Sequence, residues 1–159
     1  MHRAMVRQVR YLASLSPESE AASAPVIEAL SEKARVVDSP ELSTSTPPDQ
    51  LPFGAPGSYW LDVRGYDPVA LAATLGKPML ILQGGRDYQV TVADDLARWE
   101  AGMTGRDRMT IRVYPTLNHL FAPGSGPPSP AEYEPAQHVD ATVIDDIASW
   151  LMTKFTSTA

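Results

Sequence analysis

An α/β protein is the fold class this sequence predicts, with parallel strands joined by crossover helices behind a helical N-terminal segment. Three observations carry that expectation. PMLILQ, residues 78–83, is a continuous apolar run too short for a helix, as expected of a strand buried on both faces. MTIRVY, residues 109–114, is a second short run rich in β-branched residues. Helical patterns lie before, between and after them, and helix–strand–helix–strand–helix alternation implies a parallel sheet with right-handed connections.

The elements follow in order along the chain. Met5, Val9, Leu12 and Leu15 fall on one face of an amphipathic helix over residues 2–15. Ser16-Pro17 stops it and starts a second helix over about 17–37, because proline suits a first helical turn. Val26, Ile27, Leu30 and Ala34 give that helix its expected apolar stripe. DSPELSTSTPPDQLPFGAPGS then reads as a long irregular connection. Asp67 caps a short helix that Gly76 ends. Thr91, with Asp94 three residues later, opens a helix expected to bury Leu96, Trp99 and Met103. PGSGPPSP excludes regular structure, and Asp140 caps a closing helix over about 140–154 with a stripe of Ile144, Ile147, Leu151 and Phe155.

Composition narrows the function. The chain has 159 residues, 43% of them hydrophobic, enough for one domain with a core. Formal charge is −6, and no basic cluster offsets it, so nucleic acid is not an expected partner. The absence of cysteine excludes disulfides, cysteine metal sites and a thiol nucleophile. No cofactor and no metal are expected. No apolar run approaches the roughly 18 residues a membrane span needs. MHRAMVRQVRYLASL has arginines but no continuous apolar stretch, so it is not a secretory signal; an Arg-rich transit peptide is the alternative to a helix, and a cytoplasmic location is expected.

The chemistry concentrates just past the two strands. LILQGGRDYQVT presents Asp87 and YPTLNHLF presents His119. Ligands of open parallel sheets sit beyond the carboxyl ends of strands. A carboxylate that accepts the Nδ1 hydrogen of an imidazole fixes its tautomer and stabilises the imidazolium, and Nε2 then takes a proton from a hydroxyl. Gly84 and Gly85 are expected to let the backbone turn sharply there. Taken singly, Asp87 more often reads as a turn residue and His119 as a loop or capping residue. Their placement at successive strand ends favours the acid–base pair.

GGRDYQV followed by YPTLNHLF resembles the C-terminal part of an α/β-hydrolase, in the esterase and acyl-peptidase branch that includes dienelactone-hydrolase-like proteins. The family's acid loop, G-x-x-D-x-x-V, is matched by Gly84, Asp87 and Val90, with Thr91 where a proline is usual. Its base loop is matched by Tyr114, Pro115 and His119. The resemblance covers about residues 59–155. It implies a partial α/β-hydrolase fold, with residues 1–52 as a helical cap-like segment and proline-rich linker, and residues 53–159 as the C-terminal half of the hydrolase domain. It also implies a serine hydrolase acting on a small-molecule ester or a peptide, with Asp87 as acid and His119 as base.

One departure is large. The family's serine stands in a G-x-S-x-G elbow whose backbone also supplies part of the oxyanion hole, and no such motif occurs in this sequence. Ser125 and Ser58 lack the strained turn that makes an elbow serine reactive. His138 is expected to cap the last helix. Tyr59, Trp60 and Tyr88 suit either a pocket lining or plain core. The sequence therefore reads as a truncated hydrolase that is inactive unless a nucleophile comes from elsewhere. The alternative is a binding or oligomerising module. A homodimer or a complementary N-terminal half is the expected macromolecular partner, because an apolar strand edge is a template for another chain.

Overall fold

The computed structural model describes residues 1–103, 105 and 108–155, without the Phe155 side chain. The chain divides into two compact units, Met1–Pro68 and Val69–Ala159.

The first unit is built on a helical hairpin. Helices α1 (His2–Ala13) and α2 (Pro17–Asp38) flank a break at Ser16, whose side chain accepts a hydrogen bond from the Ser19 amide. This is N-capping by the residue that precedes the first-turn proline. The two helices run antiparallel. At one end His2 Nε2 lies 2.8 Å from Asp38 Oδ1, and Arg3 Nε donates to Asp38 Oδ2 at 3.0 Å. Further along, Arg10 donates to Ser31 Oγ at 3.3 Å. Burial raises the Asp38 carboxyl, but hydrogen bonds from Arg3 and His2 and their charges outweigh it and hold the group below its usual range.

The buried face of α2 is Ser31, Ala34 and Val37. Ala34 is buried as expected and Ile27 and Leu30 are half-buried, whereas Val26 is 60% exposed. The face that packs includes the small Ser31, whose hydroxyl meets Arg10 of α1, and Val26 falls outside it. Leu15, expected on the buried face of α1, lies beyond its last turn and is exposed.

The proline-rich connection is ordered into two short 3-10 turns, Pro48–Gln50 and Pro52–Gly54. It leads to α3 (Gly57–Gly65). Leu42 and Leu51 from the connection, Val37 from α2 and Trp60 from α3 form one buried cluster. Arg64 of α3 donates to the carbonyls of Val37 at 3.1 Å and Ser39 at 2.6 Å, so a cation satisfies the C-terminal end of α2. Trp60 is thus core of the first unit, to which residues 53–68 belong.

The second unit carries the sheet. Helix α4 (Pro68–Thr74) ends at Gly76, whose φ of 60° is left-handed. Strands β1 (Met79–Gly84) and β2 (Met109–Tyr114) pair parallel, from Met79 opposite Met109 to Gly84 opposite Tyr114. Between them, Thr91 accepts from the Asp94 amide and caps a π-turn, Val92–Leu96, that runs into α5 (Ala97–Gly102). Leu96 and Met103 are buried and Trp99 is half-buried. The closing helix is α6 (Ala141–Phe155).

Two expectations about burial change. Neither strand is buried on both faces: Met79–Leu82 and Met109–Ile111 are half-buried, and Val113 is exposed. Helix α6 also turns a different face to the sheet. Val143 packs with Tyr114 and Leu117, Asp146 accepts from the Tyr114 hydroxyl at 2.8 Å, and Trp150 Nε1 donates to Thr110 Oγ1 at 3.2 Å. Polar anchors on β2 select that face. Ile144, Ile147 and Leu151 are left 57%, 37% and 42% exposed. Phe155, the fourth member of the expected stripe, lies outside the described side chains.

Candidate active site

Because β1 and β2 end in register at Gly84 and Tyr114, the loops that follow leave from the same end of the sheet. The Gly85 amide donates to the Tyr114 carbonyl at 2.7 Å, and the Arg86 amide to the Leu117 carbonyl at 3.0 Å, so the two loops are stitched together from their first residues. Neither Gly84 nor Gly85 has a positive φ. The glycines are needed for close approach instead. A Cβ on Gly84 would lie 2.7 Å from the Leu117 carbonyl oxygen, and one on Gly85 would lie 2.7 Å from Pro115 Cα.

Asp87 sits in the acid loop with its side chain 5% exposed. Its Oδ1 accepts from the amides of Gln89 at 2.8 Å and Val90 at 2.9 Å, a local turn of the kind aspartate favours. Its Oδ2 lies 2.8 Å from His119 Nδ1. Gln83, buried at the end of β1, donates Nε2 to the Val90 carbonyl at 2.8 Å and approaches Asp87 Oδ2 at 3.4 Å. The carboxylate is therefore fixed through both oxygens.

His119 stands at the tip of a tight hairpin closed by a bridge between Leu117 and Pro123. Asn118, fully buried, folds that tip: its Oδ1 accepts from the amides of Leu120 at 3.0 Å and Ala122 at 3.1 Å. Phe121 takes a left-handed φ of 56°, an uncommon conformation for a bulky residue. Its ring sits edge-on to Tyr114, with centroids 6.1 Å apart. The His119 side chain is 39% exposed, and its Nε2 has no hydrogen-bond partner among the described residues. A half-exposed imidazole held through Nδ1 by a buried carboxylate has the geometry of a general base.

The segment after the hairpin folds back over the acid loop. Pro130–Tyr133 forms a 3-10 turn. Glu132 on it pairs with Arg86, and Gln89 Nε2 donates to the Tyr133 hydroxyl at 3.2 Å. Tyr88 is buried here, and burial first, then Tyr133, pushes its phenol above the ordinary range. A concavity of about 500 Å³ adjoins the hairpin, lined by residues that include Leu120, Ala122, Tyr133, His138 and Val139.

The other residues considered from sequence are placed as follows. Tyr88 lies within the acid loop, whereas Trp60 and Tyr59 belong to the first unit. Ser58 is exposed in that unit. Ser125 is exposed, and its carbonyl is engaged by Arg86 at 3.0 Å. His138 is not the cap of α6. That role is Asp140's, whose Oδ1 accepts from the Thr142 amide at 2.9 Å and whose carboxyl is thereby held low. Gln83, Asn118 and Glu132 had not been singled out from sequence. A polar residue closing an apolar strand run was a readable sign for Gln83, and an asparagine beside the histidine was one for Asn118. Glu132 offered none, because its partners are distant along the chain.

Comparison with known proteins finds Esterase EstD of Thermotoga maritima, 45% identical over 106 residues, which is 67% of this chain and 26% of that protein. The chain thus spans about a quarter of the length of this relative. No family profile matches the chain, and no solved structure does.

Proposed function

We propose that the chain carries the acid and base of a serine hydrolase of the α/β-hydrolase type, cleaving esters or amides. Asp87 holds His119 in the tautomer with hydrogen on Nδ1 and stabilises the imidazolium. His119 Nε2 takes the proton of a serine hydroxyl as it attacks the acyl carbon and returns it to the leaving group. The serine and the oxyanion hole lie outside these 159 residues. The contact of 2.8 Å between a buried carboxylate and a half-exposed imidazole carries this reading. The similarity to an esterase supports the ester as substrate class.

Hydrolysis of p-nitrophenyl esters tests it, with the chain alone and with a polypeptide bearing a G-x-S-x-G elbow. Activity near background is expected alone, and turnover with the second chain. Asp87→Asn is expected to lower that turnover by about 10⁴-fold. A fluorophosphonate-blocked burst mapped to a serine of this chain would overturn the division of the triad.

A second reading, a catalytically inactive binding or oligomerising module, is favoured by one observation: α6 exposes Ile144, Ile147 and Leu151 on one face. An apolar helix face beside an incompletely covered parallel sheet suits a second copy of the chain or a complementary half.

A further inference from the structure

The acid and base lie on different loops, and a half-buried carboxylate ties the neighbours of both. Arg86, immediately before Asp87, directs Nη1 to Glu132 Oε2 at 3.2 Å and Nη2 to Glu132 Oε1. The same Nη2 reaches the carbonyls of Ser125 at 3.0 Å and Gly126 at 2.9 Å. Asn118, immediately before His119, directs Nδ2 to Glu132 Oε2 at 3.4 Å. The Arg86 and Glu132 side chains are only 12% and 16% exposed. Next to Glu132, Tyr133 accepts from Gln89, two residues beyond Asp87. The turn Pro130–Tyr133 thus grips the acid loop on both sides of Asp87 and the base loop beside His119.

We infer that Glu132 is a positioning residue that sets the separation of Asp87 and His119, an inference that rests on the reading of those two residues as acid and base. A two-pronged Arg–carboxylate pair fixes orientation as well as distance. A general base loses its tautomer and its aim when its orienting carboxylate is displaced by about an ångström. The Arg86 backbone amide reaches the base loop at the Leu117 carbonyl, but its guanidinium does not, because its other acceptors are carbonyls of the glycine-rich stretch at 124–126. Asn118 alone does not lock the acid loop, because its Oδ1 is spent on its own hairpin. Glu132 adds a third element whose side chain bonds to side chains of both loops.

The test reads the hydrogen-bonded Nδ1 proton and the ring-nitrogen shifts of His119 by NMR in the full chain, with Glu132→Ala, Glu132→Gln, Glu134→Ala and Asp87→Asn. The native chain is expected to give one downfield Nδ1 proton that Asp87→Asn abolishes. Glu132→Ala is expected to remove that proton and return the imidazole to the tautomer mixture of a solvated ring, with cooperative unfolding retained. Glu132→Gln, which keeps shape but not the ion pair, is expected to broaden and weaken the signal, whereas Glu134→Ala, an exposed neighbour, leaves it unchanged. If Glu132→Ala does not fold, the glutamine variant decides. An unaltered Nδ1 proton in a folded Glu132 variant would overturn the inference. Absence of that proton from the native chain would overturn the acid–base reading itself, which separates the two failures.

Discussion

Gly84 lies against the backbone carbonyl of Asn118 so closely that no side chain fits between them. This approach lets the end of β1 and the His119 hairpin lie side by side. Gly84→Ala is expected to push the hairpin away, costing about 1–3 kcal/mol as overpacking does. Chemical denaturation measures the cost, and loss of the hydrogen-bonded His119 proton reports the displacement.

Tyr114 links the sheet to α6 through Asp146. Burial first, then the hydrogen bond to the Asp146 carboxylate, pushes its phenol up to about 12. A group raised in the folded state contributes stability that is complete below its ordinary value near 10. That contribution is lost as pH rises from about 10 to about 12. The unfolding midpoint is therefore expected to fall steeply across that window, and Tyr114→Phe is expected to flatten the fall. An identical slope in both proteins would mean that other groups set the alkaline limit.

Asp38 works in the opposite sense at the helical hairpin. Its carboxyl is held below the usual range, so its contribution is present above about pH 4 and fades as acid protonates it. Helicity of α1 and α2 is expected to decline below about pH 4, and Asp38→Asn is expected to remove most of that pH dependence. Circular dichroism from pH 6 to 2 checks this.

Trp60 is fully buried among Val37, Leu42 and Leu51. Trp60→Ala is expected to cost about 3–5 kcal/mol, a typical figure for deleting a large aromatic core residue. Urea unfolding followed by the helical signal measures it.

The exposed Ile144, Ile147 and Leu151 face leads to an expectation about solution state. Sedimentation at micromolar concentration is expected to show a dimer or larger species. Leu151→Glu is expected to shift it toward a species near the 17.2 kDa chain mass. A native chain that already sediments at that mass would exclude the face as a self-association surface.

The residues that make regular structure were largely legible, because their signals are local. Ser16-Pro17, Asp67-Pro68 and Thr91 mark helix starts through chemistry confined to one turn. The two strands were legible as short apolar runs. Their common end put Asp87 and His119 within reach of each other before any contact was known. Which face of a helix packs was not legible. Helix α2 buries Ser31, Ala34 and Val37 and leaves Val26 exposed, and α6 follows hydrogen bonds to Thr110 and Tyr114 in place of its own apolar stripe. Such choices depend on the neighbour's surface. The grip of Glu132 on Arg86 was hidden for the same reason, since nothing near PAEY signals a guanidinium so distant in sequence.

Glu132 follows both Asp87 and His119 along the chain, and this order matters during translation. The loops of Asp87 and His119 leave the ribosome before the residue proposed to fasten them. Chains emerge N-terminus first at about 5–20 residues per second, so both loops spend an interval of seconds without their clasp. A nascent chain halted before residue 130 would hold the two loops by their backbone contacts alone, and the turn at 130–133 would join them only once it clears the exit tunnel.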